Sequence, residues 1–193
     1  TNTIIGLGLL TAIVVVMQFI SMGLRFGTFS ITLTLIPIVV GSALYGWGSG
    51  AWLGFVFGVT VLLTGDANLF LAVNIPGTII TVILKGTLAG AAAGFVYKLI
   101  SKKNQIAAVI VSAVVAPVVN TGIFVIGSYV FFFDYISELA KGTNLFVFIL
   151  VGFVGINFFI ELGINLVLNP AILQIIRIGK KNFGGKNQII KTK

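Results

Sequence analysis

Long apolar stretches separated by short polar turns organise this chain, and they predict helices of membrane width. Six stretches stand out, at about 4–22, 31–45, 51–63, 77–100, 106–132 and 145–176. Several approach or exceed the roughly 20 apolar residues that carry an α-helix across a bilayer. They lack the short alternating segments of a transmembrane β-barrel. The second and third are short, and are expected to tilt or to extend into their flanking turns. The polar breaks include Arg25–Ser30, the turn Gly46–Gly50 and the loop Thr64–Pro76. Thr1–Ile20 has neither the basic start nor the cleavage site of a signal peptide, so it is read as the first span. The expectation is one all-α integral membrane domain, a six-transmembrane-helix bundle, with a basic tail at 177–193.

Composition strengthens this picture. The chain has 193 residues, 58% hydrophobic and 8% charged, with mean hydropathy +1.17. A soluble domain carries about 25% charged residues. The net charge of +8 resembles a nucleic-acid signal until its placement is read. Lys98, Lys102 and Lys103 follow the fourth span, and Arg177, Lys180, Lys181, Lys186, Lys191 and Lys193 follow the sixth. With six spans, those nine of the twelve basic residues share one side. The positive-inside rule makes that side the cytoplasm, with both termini there. Asp66, Asp134, Glu138, Arg25 and Lys141 then fall outside. The tail lysines set topology and face anionic lipid. No groove-reading motif accompanies them, so no nucleic-acid partner is expected.

Several chemistries are missing. The chain has no cysteine and no histidine, and four acidic residues in all, so neither thiol chemistry nor a metal site is expected. It carries no P-loop, no arginine ladder, no TVGYG-like filter and no Ser/His couple. The expectation is a protein without catalytic residues. Trp47 and Trp52 are read as interfacial anchors.

Glycines recur every four residues, at Gly46, Gly50, Gly54 and Gly58 and again at Gly86, Gly90 and Gly94. Such spacing bares one helix face and lets backbones approach closely. It serves either packing within the chain or a sliding surface for a partner helix.

Polar residues inside the spans carry the candidate chemistry. Lys85 sits in TVILKGTLAGAAAGF, roughly 12 Å deep by helical rise. A charge near mid-membrane costs about 2.5–3.5 kcal/mol, so it must face the protein interior or a wet cavity. Asn157, Glu161 and Asn165 follow at i, i+4 and i+8 in the sixth span, a polar stripe on one face. Asn120 lies near Pro117, which frees a backbone carbonyl and invites a kink. Asn74, in the loop before the fourth span, and Arg25, in the first outer loop, complete the set. One reading pairs Lys85 with Glu161 as a structural ion pair. The other has these groups line a pocket open to the outside.

The segment FSITLTLIPIVVGSALYGWGSGAWLGFVFGV, then GDANLFLAVNIPG and KGTLAGAAAGFVYK, resembles the substrate-binding S component of energy-coupling factor (ECF) transporters. The resemblance covers most of the chain and lies in the order and spacing of degenerate motifs. It implies a bacterial cell-membrane protein that captures a vitamin from outside. It also implies a transmembrane coupling protein and two ATPase subunits as partners, with ATP used by those subunits and no cofactor in this chain. Delivery would come from reorientation in the membrane. The family's first helix meets the coupling protein through AxxxA, for which Gly8 and Ala12 are the nearest equivalent here.

Within the family the chain looks most like the pantothenate-type members. Lys85 or Arg25 would then counter the vitamin carboxylate, Asn74, Asn120 and Asn157 would serve its amide and hydroxyls, and Glu161 would accept from a hydroxyl or hold Lys85. Hydroxymethylpyrimidine or pyridoxine is the alternative ligand, and a scaffold subunit without a ligand is the alternative class. The loops Arg25–Ser30 and Thr64–Pro76 are expected to act as lids.

Overall fold

A computed structural model describes residues 2–23, 25–26, 29–30, 33–144 and 147–184, and helix dominates them. Helix α1 spans Asn2–Gly23 and leads to a minimal antiparallel pair, β1 (Arg25–Phe26) with β2 (Phe29–Ser30). Helices α2 (Leu35–Tyr45) and α3 (Trp47–Leu63) reverse at Gly46, whose φ of 95° is the left-handed conformation that glycine adopts freely. The short α4 (Asn68–Leu71) lies within the Thr64–Pro76 connection. Two long helices follow, α5 (Ile75–Ile100) and α6 (Gln105–Phe131). Then come α7 (Phe133–Ala140), a π-helix over Phe148–Gly155, α8 (Ile156–Val167) and α9 (Asn169–Gly184).

Three helices, α1, α5 and α6, are long and apolar enough to cross a membrane, or four spans if α8 and α9 count as one broken span. At 11 and 17 residues, α2 and α3 are shorter apolar helices. The sixth stretch is not one straight helix. It starts as π-helix, and the helices on either side of Leu168 are bent by 53°. Pro170 explains the break, because its ring has no N–H to give and restricts the residue before it. Helix α9 carries Arg177, Lys180 and Lys181, so the basic segment is helical as far as Gly184, and residues 185–193 lie outside the described residues. Helix α6, in contrast, runs unbroken through Pro117.

The two glycine seams meet each other. Helices α3 and α5 run antiparallel with Gly50 against Gly90, Gly54 against Gly86 and Gly58 against Val82 and Ile83. A Cβ placed on Gly54 would fall inside the Gly86 carbonyl, and one on Gly90 inside the Gly50 carbonyl. The seam therefore packs the chain on itself, and the sliding-surface reading of these glycines is set aside. Lipid supplies no hydrophobic drive for helix pairing, so this backbone approach, rich in dispersion contacts, holds the centre of the bundle. Gly46 belongs to the turn rather than to the seam.

Local chemistry fixes where α5 and α6 begin. Asn74 Oδ1 accepts from Gly77 N at 2.9 Å and Asn104 Oδ1 from Ala107 N at 3.0 Å, each capping its helix. Asn74 Nδ2 also donates to the Phe131 carbonyl at 3.3 Å, tying the start of α5 to the end of α6. Replacing Asn74 by Ala is expected to destabilise the fold by about 1 kcal/mol, the usual value of a cap. A lower Tm in detergent would register it, and an unchanged Tm would show the cap to be dispensable.

Six basic residues of the described chain gather at one end of the bundle, on the last turns of α5, the turn after it and α9. Lys180 Nζ lies 4.9 Å from the centre of the Tyr97 ring, which joins the end of α5 to α9. Lys98, Lys102, Lys103, Arg177 and Lys181 are exposed in the same two segments.

Candidate functional site in the bundle interior

Helices α3, α5, α6 and α8 bring the interior polar groups together. Lys85, on α5, is half-buried, with its ammonium between two rings, 5.8 Å from the centre of Phe57 on α3 and 5.5 Å from that of Phe124 on α6. Ring faces carry negative charge density, so this is a favourable seat for a cation away from water. Glu161, on α8, is 6% exposed, and its charge and that of Lys85 interact. The two anomalies of the sequence thus belong to one region. Neither lysine nor glutamate faces lipid alone, the outcome that the cost of intramembrane charge demands.

Uncharged polar atoms are buried on the same helices and on α9. Asn120 is 6% exposed and its Oδ1 has no hydrogen-bond partner among the described residues. Asn165 is fully buried; its Nδ2 donates to the Glu161 carbonyl at 2.8 Å, and its Oδ1 has no partner among the described residues. Asn169, one turn further and past the bend, is buried with an unpartnered Nδ2. The polar stripe of the sixth stretch therefore continues to Asn169. On α5 and α6, Thr81 Oγ1 and Ser128 Oγ are also buried without partners among the described residues. An unsatisfied buried polar group costs about 1–3 kcal/mol, and such groups are rarely tolerated in numbers without a ligand or water to meet them.

Asn74 is used as the α5 cap, and both ends of its amide are bonded within the chain. Arg25 and Asn157 are described in their backbone only, Arg25 in β1 and Asn157 in α8. Gly8 and Ala12 share an exposed face of α1, where a Cβ on Gly8 would meet nothing within 4 Å. Trp47 and Trp52 are exposed, as interfacial anchors are, and Trp52 Nε1 donates to Thr11 Oγ1 at 3.2 Å.

Sequence reasoning missed four groups here. Thr81 and Ser128 share helix faces with Lys85 and Phe124 at i−4 and i+4, a spacing that could have flagged them. Phe57 and Phe124 had no signal, because an aromatic in an apolar helix is ordinary. A second polar tie was also unforeseen. Gln18 Nε2 donates to Asp66 Oδ2 at 3.3 Å, and Thr34 Oγ1 donates to Gln18 Oε1 at 3.3 Å. It joins α1 to the start of α2 and to the connection after α3. Between α1 and α3 lies an apolar groove of about 260 Å³, lined by Val15, Phe19, Phe55, Val56, Val59, Thr60 and Leu63.

The bundle is apolar on its outside, and several of its buried polar groups have no partner among the described residues. The chain matches the sequence model of "ECF transporter, substrate-specific component" over residues 2–173, and it belongs to that family. Its fold is similar to that of ThiT from Listeria monocytogenes, with a TM-score of 0.65 and 18% identity, over 91% of this chain and 97% of that one. No curated protein sequence matches it. The family's members are membrane-embedded substrate-binding subunits that work with a membrane coupling protein and ATPases.

Proposed function

We propose that this chain captures pantothenate from outside the bacterial cell membrane and delivers it by reorienting against a transmembrane coupling protein driven by two ATPase subunits. The observation that carries the ligand reading is the seat of Lys85, half-buried with its ammonium between Phe57 and Phe124, on helices that also bury polar atoms without partners among the described residues. A vitamin carboxylate would receive a charge-assisted hydrogen bond from Lys85. The Asn120 and Asn165 carbonyl oxygens would accept from its amide N–H and hydroxyls, and Glu161 would keep Lys85 in place. Asn157 would join the set around Lys85 and Arg25 would join it nearer the mouth, whereas Asn74 serves by fixing the start of α5. The role is binding, without catalysis.

Orientation follows from charge. The end of the bundle that joins Lys98, Lys102 and Lys103 to α9 faces the cytoplasm, with both termini on that side of six crossings. The exposed Gly8–Ala12 face of α1 is open to the coupling protein, since small residues allow close helix approach in lipid.

One observation favours a second reading. Glu161 acts on the charge of Lys85, and a site in which the two offset each other would suit an uncharged ring vitamin such as hydroxymethylpyrimidine or pyridoxine. A thermal-shift panel of purified chain with pantothenate, pyridoxine, hydroxymethylpyrimidine, riboflavin, biotin and thiamine separates the readings. A selective rise in Tm with pantothenate is expected, because a ligand that binds only the folded state raises its stability. A selective rise with another vitamin would transfer the role to that ligand. No rise with any would leave a scaffold subunit, whose polar interior is only an ion pair.

A further inference from the structure

Nine buried side-chain hydroxyls are found among the described residues: Ser21, Thr34, Ser42, Thr60, Thr78, Thr81, Tyr97, Ser112 and Ser128. Six have partners. Ser42, Thr60 and Thr78 donate to carbonyls in their own helix or its cap, and Ser112 donates to the Ala93 carbonyl at 3.0 Å. Thr34 donates to Gln18 and Ser21 accepts from Leu33 N. Thr81, Ser128 and Tyr97 have no partner among the described residues; Tyr97 sits at the basic end of α5, whereas Thr81 and Ser128 are the two serine or threonine hydroxyls that leave unused the carbonyl one turn back. They are 3% and 1% exposed, so water does not serve them from the surface.

Their positions are related. Helices α5 and α6 run antiparallel, with Gly77 against Phe131 and Thr81 against Gly127. A side chain at position 127 would collide with Thr81, so Gly127 lets the threonine close on α6 beside Ser128. Thr81 is one helical turn from Lys85 on the same face of α5, and Ser128 is one turn from Phe124 on the same face of α6. Both lie on the side of Lys85 away from the basic end. Four residues of helix are about 6 Å.

We infer that Thr81 and Ser128 form a second recognition station, about 6 Å from Lys85 along the bundle axis, which reads hydroxyl or amide groups of the ligand. The inference rests on the proposed capture role and deepens it. It fixes the ligand's direction: the carboxylate lies deep at Lys85, and the hydroxylated end points away from the basic end. It also sets the substrate class, a short molecule with an anionic group at one end and hydrogen-bonding groups a few bonds away. Ligands that lack the second feature would leave two buried hydroxyls unmet, and are discriminated against for that reason.

The test uses pantothenate and its alcohol analogue pantothenol, in which the carboxylate is replaced by a hydroxymethyl group. Binding of both is measured for the wild type, Lys85→Ala, Thr81→Val, Thr81→Ser and Ser128→Ala. Thr81→Val and Ser128→Ala are each expected to weaken both ligands alike, by about tenfold or more, the loss typical of a buried hydrogen bond left unmade. Thr81→Ser, which keeps the hydroxyl, is expected to retain the affinity. Lys85→Ala should instead abolish the preference for pantothenate over pantothenol. Without ligand, Thr81→Val should match or exceed the wild-type Tm, because it removes an unmet polar group at nearly constant volume. A wild type that binds neither compound overturns the capture reading and this station with it. Wild-type binding that survives unchanged in Thr81→Val and Ser128→Ala overturns the station alone, as does a ligand-free Tm that falls while affinity holds.

Discussion

Valine at position 54 is expected to prevent the bundle from closing. The Gly54 Cα lies against the Gly86 carbonyl, so an added side chain meets backbone rather than a movable side chain. Overpacking a tight core usually costs about 1–3 kcal/mol, occasionally more. Here the obstacle is the facing backbone, and α3 cannot withdraw without also losing the Gly50–Gly90 and Gly58–Val82 contacts. The upper end of that range, or beyond it, is expected for Gly54→Val and for Gly86→Val. The expected readout is loss of monodisperse protein on gel filtration in detergent, or a Tm far below the wild type. Gly8→Val is the control, because its Cβ would enter open space and should leave Tm unchanged. Wild-type stability in Gly54→Val would mean that the α3–α5 seam is looser than the structure shows.

Lys85→Ala is expected to cost the largest share of ligand affinity, about 100-fold or more, as removal of one partner from a desolvated charge-assisted hydrogen bond does. The same change also removes a counter-charge from Glu161, and breaking a buried charge pair destabilises proteins by about 3–5 kcal/mol. The two effects separate in the double variant Lys85→Met/Glu161→Gln. Neutralising both charges should recover much of the Tm while binding stays lost. Recovery of pantothenate affinity in the double variant would assign Lys85 a purely structural role.

Much of this was legible in the sequence. Apolar run lengths located α1, α5 and α6, because a segment that must satisfy all its backbone groups in lipid has to be helical. The four-residue glycine spacing announced a close helix contact. It could not say that the two seams meet each other, since pairing is decided by register across the chain. Lys85 and Glu161 stood out because charge is costly in lipid, and the same cost places them in one region. The break at Leu168 was half visible in Asn169–Pro170, but the angle and the helix beyond it depend on how Ile172 and Ile176 bury against the bundle. The capping role of Asn74 was not legible, because a capping asparagine and a binding asparagine look alike until Gly77 N and the Phe131 carbonyl are placed around it. Thr81 and Ser128 passed unnoticed for a related reason. A hydroxyl in a membrane helix normally bonds its own backbone, and only the structure shows that these two do not.

The most direct measurement is equilibrium binding of radiolabelled pantothenate to the purified wild-type chain in detergent, in parallel with Lys85→Ala. Saturable binding at nanomolar concentration, with one site per chain and its loss in Lys85→Ala, is the predicted result. A folded wild-type chain that fails to retain pantothenate, or a Lys85→Ala variant that binds it as tightly as the wild type, would contradict the account.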